Sequence, residues 1–138
     1  LPSKKEGGGI YQKGANIYRK VACNGKARPL LDGELHPGCF NFCGPGTHIE
    51  DPHVRNYTPF NDIDNICRTH DIAYNEAKGP NKQQLIRQAD INMLRDIEPY
   101  RNEEGYRIAK AAIRSKIAAE DLFPGAAKLF PDHAGKGD

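Results

Sequence analysis

The chain has no strong charge bias, no long apolar run and no convincing strand alternation, and each absence removes a class of protein. Its 20 basic and 18 acidic residues leave a net charge of +2. That balance lacks the concentrated basic footprint of a nucleic-acid binder, although it allows a mild attraction to an anionic membrane surface. No apolar run approaches the roughly 20 residues that a spanning helix needs, so no transmembrane helix is expected. No Cys-x-x-Cys pair occurs, and Cys39-x-x-x-Cys43 lacks a second ligand pair, which argues against zinc. The Gly-x-Ser-x-Gly elbow of a serine esterase is missing as well. The segment Leu1 to Gly9 is polar and glycine-rich, without the apolar core of a signal peptide. A processed product, or a domain cut from a longer chain, is therefore expected.

With 38% hydrophobic residues and a mean hydropathy of −0.73, the 138 residues suit one domain with a modest core. Four cysteines, Cys23, Cys39, Cys43 and Cys67, form an even set. They fit a two-disulfide framework in an oxidising compartment, with three possible connectivities, or else four reduced thiols.

Residues 1–36 hold many glycines and few periodic apolar positions, so they read as an irregular segment with a short helical turn around Ala15 to Val21. Residues 37–59, rich in Pro and Gly, read as a long loop that is functional or pinned by crosslinks. A first long helix is expected after Pro59, with Asn61 as N-cap and Asp62 and Asp64 at its positive end. Ile63, Ile66, Cys67, His70, Ala73 and Tyr74 follow at helical spacing, and Gly79-Pro80 stops the run. A second helix runs from near Lys82 to before Pro99. A third, from about Glu103 to Glu120, buries Tyr106, Ala109, Ile113 and Ile117 and carries Arg107, Lys110, Arg114 and Lys116 on its other face, read as a solvated amphipathic face, with membrane docking as the alternative. The fold class is mainly α, with the core of the domain over 37–120 and a C-terminal tail over 121–138.

On the second helix Ile86, Asp90, Met93 and Ile97 share one face. An acid within an apolar stripe is costly to bury unless paired; the bland reading is a boundary residue reaching solvent. His70 points inward on the first helix, and a lone inward histidine is commonly a satisfied core residue. Two antiparallel helices with a short connection bring such faces together. Asp90 then orients the His70 imidazole and stabilises its charged form, and Tyr74 donates to the same carboxylate. Asp71, turned about 100° around the helix, points toward Phe42-Cys43-Gly44-Pro45-Gly46. A glycine-rich loop can present carbonyls to a hard cation beside a carboxylate, though alone Gly-Pro-Gly is an ordinary turn.

Together, Phe42-Cys43-Gly44-x-Gly46, Cys67 and His70-Asp71-x-x-Tyr74 resemble the phospholipase A2 family. Cys43 and Cys67 match the calcium-loop cysteine pair of the secreted enzymes. The Gly-Pro-Gly loop, Asn61-x-x-Asp64, the Ala89-Asp90 pair and the basic helix around Ile108 to Ala112 are similar to the parvovirus capsid phospholipases, which lack those cysteines. The resemblance covers about residues 38 to 120. It implies a fold with two antiparallel helices carrying the His/Asp site beside a calcium loop, and a Ca2+ cofactor held by Asp71 and the carbonyls of Phe42, Gly44 and Gly46. It further implies His70 as general base, Asp90 with Tyr74 as its support, and the Gly44 N–H as oxyanion donor. A Cys43–Cys67 bridge is implied, worth roughly 3 kcal/mol in the chain-entropy model, and with it a second between Cys23 and Cys39. Phe40, Phe42 and Phe60 are candidates for an acyl-chain slot.

The implied activity is calcium-dependent hydrolysis of the sn-2 ester of glycerophospholipids at a membrane surface, without nucleic acid. The parvoviral features imply part of a longer capsid protein in a virion, breaching an endosomal membrane during infection; the cysteines suit a secreted, extracellular enzyme. Two readings compete with the enzyme: an inactive phospholipase-like binding module and a helical interaction domain with structural His and Asp.

Overall fold

The structure, a computed structural model, describes residues 5–124, so the first four residues and most of the expected C-terminal tail lie outside it. Among the described residues there are five α-helices and no strand: α1 (Ile10–Ala22), α2 (Pro52–Arg55), α3 (Asp62–Glu76), α4 (Lys82–Ile97) and α5 (Tyr106–Leu122), with a 3₁₀ turn at Glu98–Tyr100.

The α3 boundaries follow the expected chemistry. The Asn61 side chain accepts from the Asp64 amide at 2.9 Å, capping the helix, while Asp62 and Asp64 occupy its first turn. Residues 77–81 then return the chain into α4, which ends where Pro99 cannot continue it. The two helices pack antiparallel and share a core with α5 in which Phe42, Ile63, Cys67, Met93, Ile97 and Ile113 meet. Helix α5 starts later than expected because Glu103 and Glu104 bridge to the start of α3 instead. The Glu103 carboxylate accepts from the Asp62 amide at 3.1 Å, and the Glu104 carbonyl accepts from Asn61 Nδ2 at 2.9 Å.

The N-terminal segment corrects the expectation of an irregular stretch: Ile10–Ala22 is a regular helix. Its buried face is polar. Gln12 donates to the Glu34 carbonyl, Asn16 exchanges bonds with both backbone groups of Leu30, and Arg19 donates to the carbonyls of Arg28, Gly38 and Phe40 and to Asn41 Oδ1. An apolar-stripe search cannot find a helix that docks through Gln12, Asn16 and Arg19. Burial and the neighbouring Arg28 charge lower the Arg19 pKa to about 10, still far above neutrality.

A second buried polar hub lies beneath it. Arg28 and Glu34 pair bidentately at 2.7 and 2.9 Å, and Glu34 also accepts from the amides of Leu31 and His48. Arg28 in turn donates to the Asn41 carbonyl at 2.6 Å. The long loop over 37–59, which contains the single turn of α2, is thus pinned by polar groups. It is also pinned by both disulfides, Cys23–Cys39 and Cys43–Cys67, with Cα separations of 5.7 and 5.2 Å.

Burial alone would raise the Glu34 pKa, but the Arg28 guanidinium and the amides it faces bring it down to about 2. A depressed carboxylate contributes stability that is present above its ordinary value of 4.5 and lost as the pH falls toward 2. Glu34→Gln is expected to cost about 3 kcal/mol at neutral pH, because it leaves Arg28 buried without its counter-charge. It is also expected to flatten the loss of stability between pH 4.5 and 2, as read by urea titration across that range.

Candidate active site

The pairing of α3 with α4 places His70 against Asp90. His70 Nε2 lies 2.7 Å from Asp90 Oδ1, which also accepts from the Tyr74 hydroxyl at 2.9 Å. All three side chains are buried, so Asp90 is not a boundary residue reaching solvent, and His70 is a paired rather than a lone inward histidine. A carboxylate on Nε2 assigns the proton to that nitrogen and leaves Nδ1 as the acceptor. Nδ1 lies 3.8 Å from Asp71 Oδ1, beyond hydrogen-bond reach. Burial would lower the His70 pKa, but the carboxylates of Asp71 and Asp90 outweigh it and raise the ring's affinity for a proton. Burial likewise works against the charged Asp90, yet the hydrogen bonds from His70 and Lys116 hold it below the ordinary carboxylate value. Burial and the adjacent Asp90 charge push the Tyr74 phenol upward, so it stays a donor.

Lys116 departs from the solvated basic face expected on α5, where Arg107 and Arg114 are exposed. It is buried, its Nζ is 2.7 Å from Asp90 Oδ2 and 2.8 Å from Glu120 Oε2, and it lies over the Tyr74 ring at 5.1 Å. Asp90 therefore has a cation on one oxygen and the imidazole and phenol on the other. The sequence held a signal for this: Ile113, Lys116 and Ile117 fall within one turn of a helix whose Ile113 side is buried.

Asp64, expected at the positive end of the α3 dipole and within the Asn61-x-x-Asp64 run, has a larger role. It is fully buried and accepts four backbone amides: Phe42 and Cys43 on Oδ1 at 2.9 and 3.0 Å, Asn41 and Phe60 on Oδ2 at 2.9 and 2.8 Å. This carboxylate hangs the start of the Phe42–Gly46 loop on α3, and the Cys43–Cys67 bridge fixes the same loop one turn further on. From the other side the segment 33–36 braces it. The Leu35 amide donates to the Pro45 carbonyl at 3.1 Å. At Gly44 (φ 145°) an added Cβ would come within 2.8 Å of the His36 Cα, and at Gly46 (φ 85°) it would overlap the Gly33 carbonyl. Both positions require glycine.

The carbonyls of Phe42 and Gly44 each lie 3.2 Å from the Thr47 hydroxyl, whose Oγ1 is 2.8 Å from His36 Nε2. Carbonyls only accept, so the hydroxyl proton serves them and His36 Nε2 carries its own. Burial drives the His36 pKa down to about 3, against the opposing pull of Glu34, which keeps that ring neutral. Each carbonyl retains a second lone pair. With the buried Asp71 carboxylate lining the same cavity, this is an all-oxygen donor set of the kind that suits a hard cation. Among the described residues no three His, Cys, Asp or Glu side chains converge, so such a cation would rest on one carboxylate and backbone oxygens.

These groups open onto an apolar cavity of about 490 Å³. Phe42, Gly44, His70, Asp71 and Lys116 line it together with Leu35, Phe40, Ile108 and Ile113. Gly46 is outside the lining, packed on Gly33, and Asp90 and Tyr74 stand behind His70. Of the three phenylalanines, Phe60 does not line the cavity but meets Phe40 edge-on at 5.6 Å. Chemically, an imidazole oriented by a carboxylate beside an oxygen-rich loop and an apolar cavity suits proton abstraction next to a lipid-like substrate.

Residues 33–116 match the model of the phospholipase A2-like domain family, and the chain belongs to that family. No curated protein and no solved structure matches it. The matched span runs from the 33–36 brace to Lys116.

Asp64→Asn keeps the size of the side chain but turns one acceptor into a donor facing two amides. It is expected to cost about 3 kcal/mol, from two buried N–H groups at roughly 1–3 kcal/mol each. Urea unfolding would measure that loss, and amide exchange should show faster opening at Phe42 and Cys43 than at α4.

Proposed function

We propose that the chain is a calcium-dependent phospholipase A2 that hydrolyses the sn-2 ester of glycerophospholipids at a membrane surface. The observation that carries this reading is the buried His70–Asp90 pair beside Asp71, all facing or backing a cavity whose remaining walls, Lys116 apart, are mainly apolar. Asp90 holds the His70 proton on Nε2, so Nδ1 is the nitrogen that takes one from a water. The water oxygen attacks the sn-2 carbonyl carbon, and the ester bond then breaks. The departing lysophospholipid oxygen recovers the proton from Nδ1–H, leaving His70 as it began. Tyr74 and Lys116 hold Asp90 in place and ionised, so the imidazolium meets a fixed negative charge. The Gly44 N–H is assigned to the developing oxyanion. Bound calcium, held by Asp71 and the carbonyls of Phe42, Gly44 and Gly46, would supply charge stabilisation at the scissile carbonyl and the lipid phosphate. Leu35, Phe40, Ile108 and Ile113 offer the acyl chain an apolar wall.

The biological setting follows the same resemblance. The Gly-Pro-Gly loop and the Asn61-x-x-Asp64 entrance to α3 support a virion-borne lipase acting at endosomal membranes. The two disulfides favour the second reading, an extracellular secreted enzyme.

Fatty-acid release from mixed phospholipid vesicles is expected with calcium and is expected to stop with chelator; no release in either condition overturns the proposal. His70→Ala should lower turnover by at least roughly 10³-fold, with the helical circular dichroism intact. Asp71→Ala should abolish calcium binding in isothermal titration. Asp90→Asn should lower turnover by on the order of 10³–10⁴-fold, since the amide no longer enforces the tautomer. Full activity of that variant would remove Asp90 from its role.

A further inference from the structure

Glu120 and Asp121 stand in the last turn of α5, which ends at Leu122 and has no basic residue there. A helix C-terminus is the negative end of the dipole, so a carboxylate is disfavoured at that place. The order of the nearest pair is adverse as well. Lys116 precedes Glu120 by four residues, whereas an acid preceding a base is the order that steadies a helix. Glu120 is nevertheless almost covered, with its side chain 11% exposed. Helix chemistry does not account for this acid, but its partners do.

One Glu120 oxygen lies 2.8 Å from Lys116 Nζ, and the other lies 3.5 Å from the guanidinium of Arg87 on α4, which also reaches Asp121 at 2.9 Å. Lys116 Nζ is 2.7 Å from Asp90 Oδ2. Arg87 and Asp90 are three residues apart on α4, and Lys116 and Glu120 four apart on α5, so each pair shares a face. Arg87, Glu120, Lys116 and Asp90 thus close a circuit of alternating charge between the two helices. One corner of it is the carboxylate that holds His70 Nε2. A contrasting ion pair of α5, Lys110 with Glu98 at 3.0 Å, is exposed on both sides, and neither residue lines the cavity.

A lysine ammonium sits on a flexible four-carbon stem, and beside an open cavity it tends to turn its head to water. Lys116 lines the cavity, so that route is open to it. A second carboxylate removes the choice. We infer that Glu120 is a positioning residue for the hydrolysis at His70, acting through Lys116 on Asp90. Glu120 does not line the cavity. It fixes the ammonium, the ammonium fixes Asp90 Oδ2, and Oδ1 stays on the imidazole. This rests on the phospholipase reading of His70 and Asp90.

Turnover of a short-chain phosphatidylcholine, dispersed as monomers with calcium, separates positioning from folding. Glu120→Gln keeps the shape and removes the charge, and should lower kcat by about tenfold with KM within about twofold. Lys116→Met should lower kcat by roughly 10²-fold. Adding Glu120→Gln to that variant should change kcat by less than about twofold, because the acid acts through the ammonium. Lys110→Met, on the exposed pair, should stay within about twofold of the parent. Full kcat in Glu120→Gln overturns the inference, whatever its melting temperature. An equal loss from Glu120→Gln in the parent and in Lys116→Met also overturns it.

The His70 Nε2–H, followed by ¹⁵N-edited NMR in chelator, reports on the same circuit without turnover. Its exchange with solvent should quicken by at least about tenfold in Glu120→Gln, and an unchanged rate overturns the inference. A parent chain that releases no fatty acid while its Nε2–H responds in this way would count against the phospholipase reading. It would leave the coupling of Glu120 to Asp90 standing.

Discussion

The Asp64 carboxylate accepts the amides of Asn41, Phe42, Cys43 and Phe60, and through those four bonds the loop and helix α3 become one object. The positions of the loop carbonyls relative to Asp71 depend on it, because Asp64 and Asp71 are on the same helix, two turns apart. A buried carboxylate is tolerable only when its lone pairs are met, and here backbone donors meet them. The Cys43–Cys67 bridge adds a covalent fastening on the same side. What remains to be set is the loop's far half, and the 33–36 segment sets it through Leu35, His36 and Gly33.

This division explains the unusual chemistry of the N-terminal third. Arg19 and the Arg28–Glu34 pair use buried charge to hold irregular backbone in a fixed path. Such pairs add little net stability over apolar packing, but they tolerate few alternative arrangements. Fixed backbone is what a loop that presents carbonyls requires. The same arrangement leaves the outer face of α1, with Ile10, Ile17 and Val21, turned to solvent.

The long helices were legible because their signals are local. Asn61, Asp62 and Asp64 mark the start of α3, Gly79-Pro80 its end, and the period of Ile63, Cys67, His70 and Tyr74 its buried face. The His70–Asp90 contact followed from two inward faces and a short connection. The disulfide pairing came from the resemblance rather than from spacing. What escaped depended on partners distant in sequence. Lys116 reads as a surface cation until Asp90 and Glu120 are placed around it. Asp64 reads as a dipole partner until the loop returns to it. Helix α1 buries polar groups and exposes apolar ones, so amphipathic patterning points the wrong way.

The central claim is that His70, supported by Asp90, activates water against the sn-2 ester rather than serving as a core histidine. The product analysis that tests it most directly uses a phospholipid with different acyl chains at sn-1 and sn-2, incubated with the chain and calcium in ¹⁸O-labelled water. Mass spectrometry should find the sn-2 fatty acid carrying one ¹⁸O, and a lysophospholipid retaining the sn-1 chain with no label. Release of the sn-1 chain, loss of the headgroup, or an unlabelled fatty acid would contradict the account.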